Sequence, residues 1–320
     1  MGDRDMRIIA QGDSMGWRRV PAAAAAAWTS ALRAARRAAA ALPSDCPLCA
    51  LAARGGDLCP GCREDVLAAG RGRLRCPRCA LPLDGVMQDR AGGPDAPGQA
   101  DAVRAAGPSV AGAAAACPDC LPHPPAFARA VCAFDYAPPA DALVLQLKRG
   151  MRLARAGLLA RMLAGAMREA DPPLPAISAL VPIPAAAPSL HRRGFNPAAE
   201  IARALGRELG LPVAGGWLAR TRAAGRQSRL GRRGRRLGAQ GLYRCPVPVS
   251  GCIAVVDDVM TTGSTLDAAA RALLAAGADS VLALAAARTP YFPSSPANLS
   301  SSSRPFSRAS PRSAGMTHRK

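Results

Sequence analysis

The sequence predicts an α/β fold, with buried strands alternating with helices, preceded by a small cysteine-rich domain. Three observations predict it. Ile253-Ala-Val-Val256 is a short apolar run, β-branched at three of four positions, which reads as a strand buried on both faces. Asp257, Asp258, a hydroxyl-rich turn and an alanine-rich helical pattern from Leu266 to about Ala276 follow it directly. A second apolar run, Ala179–Pro184, also precedes a helix, which has Pro197 in its first turn and Ile201, Leu205 and Leu209 facing inward to about Leu209. Ahead of both lie four C-P-x-C units.

The stretch around Asp257 carries the chemistry. A loop entering a helix offers unpaired backbone N–H groups and the positive end of the helix dipole, a seat for phosphate. Gly263 lets the backbone approach an anion, and Thr261, Thr262, Ser264 and Thr265 add hydroxyl donors. Asp257 and Asp258 repel phosphate but suit ribose hydroxyls or a magnesium ion beside it. The implied ligand is a ribose 5-phosphate. The plainer alternative, a buried strand with a surface turn, leaves two adjacent carboxylates at the strand's end unexplained. Val259-Met-Thr-Thr-Gly-Ser-Thr265, with its acidic pair, resembles the PRPP-binding loop of type I phosphoribosyltransferases. Neither G-x-x-x-x-G-K-[ST] nor G-x-G-x-x-G is present in it.

The 320 residues leave room for two domains plus tails. Alanine inflates the 49% hydrophobic fraction and aromatics are only 3%, so Leu, Val and Ala must build the cores. A net charge of +20 points to polyanionic partners: phosphorylated substrates, nucleic acid, or both. No run of eighteen apolar residues exists, so no membrane insertion is expected. Residues 1–43 read as a leader, disordered or helical; arginines after the alanine run argue against a signal sequence.

The cysteine units are Cys46–Cys49, Cys59–Cys62, Cys76–Cys79 and Cys117–Cys120. Two intervening residues let both thiolates converge on one ion, and four thiolates complete a tetrahedral zinc site. Disulfides are the rival reading, and the lack of a secretory signal favours metal. Consecutive pairing gives sites of Cys46, Cys49, Cys59, Cys62 and of Cys76, Cys79, Cys117, Cys120; an interleaved cross-brace fits the same spacing. Residues 84–116 are Gly/Ala/Pro/Asp-rich without hydrophobic period and read as a disordered insertion. Cys132, Cys245 and Cys252 read as small buried hydrophobes.

Ala130–Tyr136 reads as a strand. Asp141 looks like the N-cap of a helix to about Leu147, closed by Lys148-Arg149-Gly150, and a second helix follows from Leu153 to Glu169. Lys148 and Arg149 are either a solvated helix end or phosphate contacts. Ser189–Asn196 is expected as a loop in which Arg192 and Arg193 add charge, and His191 is more simply a surface residue than a base. Residues 219–244 carry nine arginines and no acid, either a solvated loop or a clamp on phosphates. A last strand runs from Val281 to about Ala286, and 289–320 is a disordered basic tail.

With every piece placed, the chain resembles the ComF family, proteins with a double zinc ribbon and a phosphoribosyltransferase domain. The matching residues are the C-P-x-C series, Leu147–Gly150, Val181–Pro184, His191–Asn196, Gln227–Leu230 and Val255–Thr265. The resemblance implies a type I phosphoribosyltransferase fold, a mostly parallel sheet flanked by helices, over 127–288, behind a zinc-ribbon domain over 44–125. It implies a cytoplasmic protein of natural competence that handles imported single-stranded DNA beside a helicase partner. It further implies PRPP as ligand: Asp257 and Asp258 on the ribose hydroxyls and Mg²⁺, Thr261–Thr265 on the 5-phosphate, and the loop bearing Arg192 and Arg193 on the pyrophosphate. As an enzyme such a protein displaces pyrophosphate at C1; as an adaptor it keeps the ligand and docks DNA or the helicase. Thr261 stands where purine-salvage relatives carry an acid that acts on the base, so the acceptor is not a purine read in that way.

Overall fold

A computed structural model describes residues 34–35, 38–68, 70, 73–83, 116–221 and 241–290. Most of the leader, nearly all of the 84–116 insertion, the bulk of the arginine run (222–240) and the tail from 291 lie outside the described residues. Two short strands, β1 (Pro43–Asp45) and β2 (Ala52–Arg54), pair antiparallel, and α1 (Pro60–Ala68) follows. Then come β3 (Arg129–Asp135), α2 (Asp141–Lys148), α3 (Ala154–Arg168), β4 (Ile177–Pro182), α4 (Ala187–Arg193) and α5 (Pro197–Leu209). The small hairpin β5 (Ala219–Arg220) and β6 (Tyr243–Arg244) precedes β7 (Cys252–Met260), α6 (Ser264–Ala275) and β8 (Ser280–Arg288).

The main sheet has the order β3-β8-β7-β4, with every neighbouring pair parallel. Parallel strands need crossovers and so carry helices on both faces, which is why the central strands read as unbroken apolar runs. Successive side chains point to opposite faces. Ile253 and Val255 enter one core, while Ala254 and Val256 enter the other; Val281, Ala283 and Ala285 alternate in the same way with Leu282, Leu284 and Ala286. The first face is covered by α6, whose Ala268, Ala269 and Ala270 let the helix lie close on the sheet. The second is covered by α2, α3 and α5, which insert the larger Leu143, Leu147, Leu159, Leu163, Ile201 and Leu205. Burying each such side chain is worth about 1.5–3 kcal/mol.

The cysteine segments pack into these same two cores. Cys76, Cys79, Cys117 and Cys120 join the α6 face, where Phe127 lies beneath the turn; Cys46 and Cys59 join the α2–α3 face. The backbone of Arg78 accepts a hydrogen bond from Ala130 N on β3 at 2.8 Å. On the other face, Gln146 donates to Pro47 O at 2.8 Å, and Arg161 meets Asp57 at 3.5 Å.

Two elements differ from expectation. The strand expected to end at Val256 continues to Met260, because the equally long β8 extends the ladder through Asp257↔Ala285 and Met260↔Arg288. The acidic pair therefore sits in the strand and not in the loop. Second, most of the expected loop 189–196 is helical: α4 starts with Pro188 in its first turn and ends at Gly194 in the left-handed region (φ 75°). Asn196 then caps α5, its side chain accepting from Ala198 N. Cys252 is buried, and Cys132 and Cys245 are partly buried against the core.

Candidate functional site

The C-terminal edge of a parallel sheet is where strand ends and helix N-termini converge, and β7 brings the predicted residues there. Asp257 and Asp258 are consecutive near the end of the strand, with their carboxyl groups close enough to interact directly. Asp258 meets Lys148 at the end of α2, Nζ to Oδ1 at 2.9 Å, with both side chains largely shielded. Lys148 is thus the counter-ion of the acidic pair. The charge of Asp257 reaches Tyr243, and its Oδ1 accepts from Asp258 N at 2.8 Å. Burial first, and the charge of Asp258 second, push the Asp257 carboxyl up to about 8.

Val259 follows within the strand, and Met260, almost wholly buried, ends it. Thr261 is exposed; Thr262, Ser264 and Thr265 are half-buried. Gly263 caps α6 with φ 77°, where a Cβ would stand 2.6 Å from Met260 Cε and 3.8 Å from the Phe127 ring. Only glycine takes this conformation without strain. Asp267 N bonds back to Gly263 O at 2.8 Å, and the Thr262 and Ser264 hydroxyls lie 2.9 Å apart. The mouth of α6 therefore presents N–H groups and hydroxyls one turn beyond two carboxylates.

Arg192 and Arg193 lie on α4, behind β4, the strand beside β7; neither makes an ion pair among the described residues. His191 is exposed, its Nδ1 lying 2.9 Å from Ala187 O of its own helix. At the base of the arginine run, Arg220 donates to the Tyr243 hydroxyl at 3.1 Å, and its guanidinium lies 5.5 Å from the ring centre. Burial, opposed by Arg220 and aided by the nearby Asp257 charge, raises the Tyr243 phenol to about 12.

Two residues escaped the sequence reading. Arg288, only 4% exposed, ends β8 and donates to Met260 O and Thr261 O at the start of the turn. Asp135, also 4% exposed, ends β3 and receives Arg75 at 2.8 Å and Arg73 at 3.2 Å. The available signal was slight: each is a single charge closing an apolar strand.

The cysteines gather by consecutive pairing, Cys46, Cys49, Cys59 and Cys62 in one group and Cys76, Cys79, Cys117 and Cys120 in the other, sulfurs within 4.8 Å of one another. Cys49 Sγ–Cys59 Sγ and Cys79 Sγ–Cys117 Sγ are both 3.6 Å. A tetrahedral zinc with bonds near 2.3 Å holds its sulfurs about 3.8 Å apart, so both groups fit. Hydrogen bonds from Cys117, Cys120 and Cys79 drive the Cys76 thiol far down, while those to Cys117, Cys76 and Cys79 drive Cys120 far up. Four thiols this close share protons unevenly until a cation compensates their charge. The second group is wholly buried; in the first, Cys49 is exposed.

A parallel α/β sheet with two tetracysteine zinc-binding groups defines the class of protein. Residues 38–94 match the double zinc ribbon domain family, a span that takes in three of the four cysteine units. Over 219 residues the chain is 34% identical to the DNA utilization protein YhgH of Salmonella typhi, covering 67% of this chain and 84% of that protein. It is 36% identical over 178 residues to the protein of the same name from Escherichia coli strain K12, covering 54% and 78% respectively. The chain belongs to the family of the DNA utilization proteins YhgH. No helix among the described residues is long and apolar enough to cross a membrane.

Proposed function

We propose that this chain binds PRPP, or a related ribose 5-phosphate, with Mg²⁺ across the end of β7, and serves DNA utilization as a ComF-like cytoplasmic protein. In this reading residues 44–125 form the zinc-ribbon domain and 127–288 the phosphoribosyltransferase-like domain. One observation carries it: a carboxylate pair and a glycine-capped helix mouth, with a hydroxyl at four of the five turn positions, succeed one another at one strand end. The carboxylates suit the ribose diol, the helix mouth the 5-phosphate. Mg²⁺ fits the same place, because the half-buried pair has one lysine as its described counter-ion and an Asp257 carboxyl raised by burial and repulsion.

As a transferase the site would displace pyrophosphate at C1 through an oxocarbenium-like state. Bound Mg²⁺ would offset charge on the departing group. Asp257 and Asp258 would hold the diol, Val259 to Thr265 would cradle the phosphate, and Lys148 would orient the Asp258 carboxylate through their ion pair. Arg192 and Arg193, exposed or half-exposed on α4, are suited to the leaving pyrophosphate.

The name of the relatives and the +20 charge favour a second reading, an adaptor that retains the ligand site while zinc ribbons and arginines dock single-stranded DNA and a helicase. Calorimetry with PRPP and Mg²⁺ tests the shared premise. Heat is expected from the wild type and none from the Asp257→Asn/Asp258→Asn double variant; an absence of heat from the wild type sinks both readings. Pyrophosphate release across a panel of bases and amines then separates them. Turnover abolished by the double change supports catalysis, whereas salt-sensitive DNA binding without any accepted acceptor supports the adaptor.

A further inference from the structure

Arg288 presents an unusual arrangement: a buried guanidinium whose acceptors among the described residues are all backbone carbonyls, apart from one distant sulfur. Burying such a cation is costly unless its donors are directed to partners. Nε reaches Cys79 O at 2.9 Å; Nη1 reaches Met260 O at 3.1 Å, Thr261 O, and Thr289 O at 2.8 Å; Nη2 lies 3.9 Å from Cys79 Sγ. One side chain thereby joins the second cysteine group to both carbonyls that open the turn. Its register partner on β3 is Asp135, whose salt bridge holds Arg75, and Arg75 also donates to Ala80 O at 3.2 Å. Two buried charges at adjacent strand ends grip the same knuckle.

We propose that Arg288 is a positioning residue for the turn Thr261–Thr265, and that metal in the second cysteine group holds the turn in its ligand-binding shape through it. The proposal rests on the ribose-phosphate reading of that turn. A metal bound by Cys79 Sγ fixes the neighbouring carbonyl of Cys79, and the planar fork of Arg288 transmits that position to Met260 O and Thr261 O. Without the ion the knuckle loosens, the fork loses Cys79 O, and the buried cation must repack. The described contacts of the first cysteine group run instead to α2 and α3 on the opposite face, through Gln146 and Arg161, and do not reach the carbonyls of the turn.

Hydrogen exchange on the full chain without ligand provides the test, with native mass spectrometry counting zinc. Cys120→Ser removes a ligand of the second group that does not touch Arg288. Cys62→Ser does the same to the first group, and Arg288→Lys keeps the charge but removes the fork. Cys120→Ser and Arg288→Lys are expected to speed exchange at Thr261–Thr265 about tenfold while Ile253–Val256 stay protected. Cys62→Ser is expected to leave the turn at the wild-type rate, and Arg288→Lys to retain both ions. Unchanged exchange in Arg288→Lys, or equal acceleration by the two cysteine changes, overturns the proposal. Should Cys120→Ser not fold, Arg288→Lys decides alone. A wild type that shows no heat with PRPP defeats the ligand reading, and the exchange result still judges the strut.

Discussion

Asp257→Asn is expected to stabilise the ligand-free protein, and the reason is the position of its carboxyl. In the unfolded chain the group ionises at its ordinary 3.8, whereas in the fold burial and Asp258 hold it at about 8. Between those values the folded state binds more protons than the unfolded state. Stability therefore falls as pH rises from about 4 to 8 and is unaffected by this group below that window. A unit of displacement is worth about 1.4 kcal/mol, which sets a ceiling of about 5 kcal/mol at pH 7.5. Asp257 shares its shift with Asp258 and is only half-buried, so the retained penalty is about 2 kcal/mol. Asparagine keeps the acceptor for Asp258 N and removes the charge. For a fold of this size the change corresponds to a rise in Tm of about 4–8 °C at pH 7.5. Scanning calorimetry of zinc-replete protein at pH 7.5 and pH 4 reads it directly. The variant should exceed the wild type at pH 7.5 and equal it at pH 4, and millimolar Mg²⁺ should raise only the wild type. A variant no more stable at pH 7.5, or one whose advantage persists at pH 4, refutes the reasoning.

Gly263→Ala should abolish the heat of PRPP binding while both zinc ions are retained. The new Cβ forces a left-handed residue and meets Met260 Cε at 2.6 Å, a strain of about 1–2 kcal/mol read as a lower Tm. Lys148→Met removes a charge that lowers the Asp257 carboxyl, so the pH at which Mg²⁺ and PRPP binding appears should move upward from about 8. Calorimetry at pH 7, 8 and 9 checks it, and an unshifted midpoint would mean that Lys148 does not act on the pair. Chelator titration should release two zinc ions in sequence, the first from the group containing exposed Cys49 and the second from the wholly buried group. Simultaneous release would contradict that order.

Some of this was legible in local pattern. The unbroken apolar run at Ile253–Val256 marked a two-faced strand because each face of a parallel sheet is covered by helices. Pro197 marked the start of α5, and the inward Ile201, Leu205 and Leu209 marked its buried face. The C-P-x-C spacing marked metal sites because knuckle geometry is local. The length of β7 was not legible, since strand continuation through Asp257 and Asp258 depends on the ladder offered by β8, 20-odd residues later. Nor was α4, where a run of basic residues in a Pro-rich segment resembles a loop until Gly194 closes it.

The sequence by itself determined the residue types, their order and the local geometries that follow from them: buried strands, capped helices, paired thiolates and a glycine where the chain turns left-handed into α6. Tertiary structure alone decided which of the possible cysteine pairings forms, that Lys148 is the counter-ion of Asp258, and that Arg288 joins the second cysteine group to the turn. The physical reason is distance along the chain. Propensity and capping act over a few residues, whereas a buried charge finds its partner by packing, and Arg288 and Cys79 are 209 residues apart before the fold brings them to 2.9 Å.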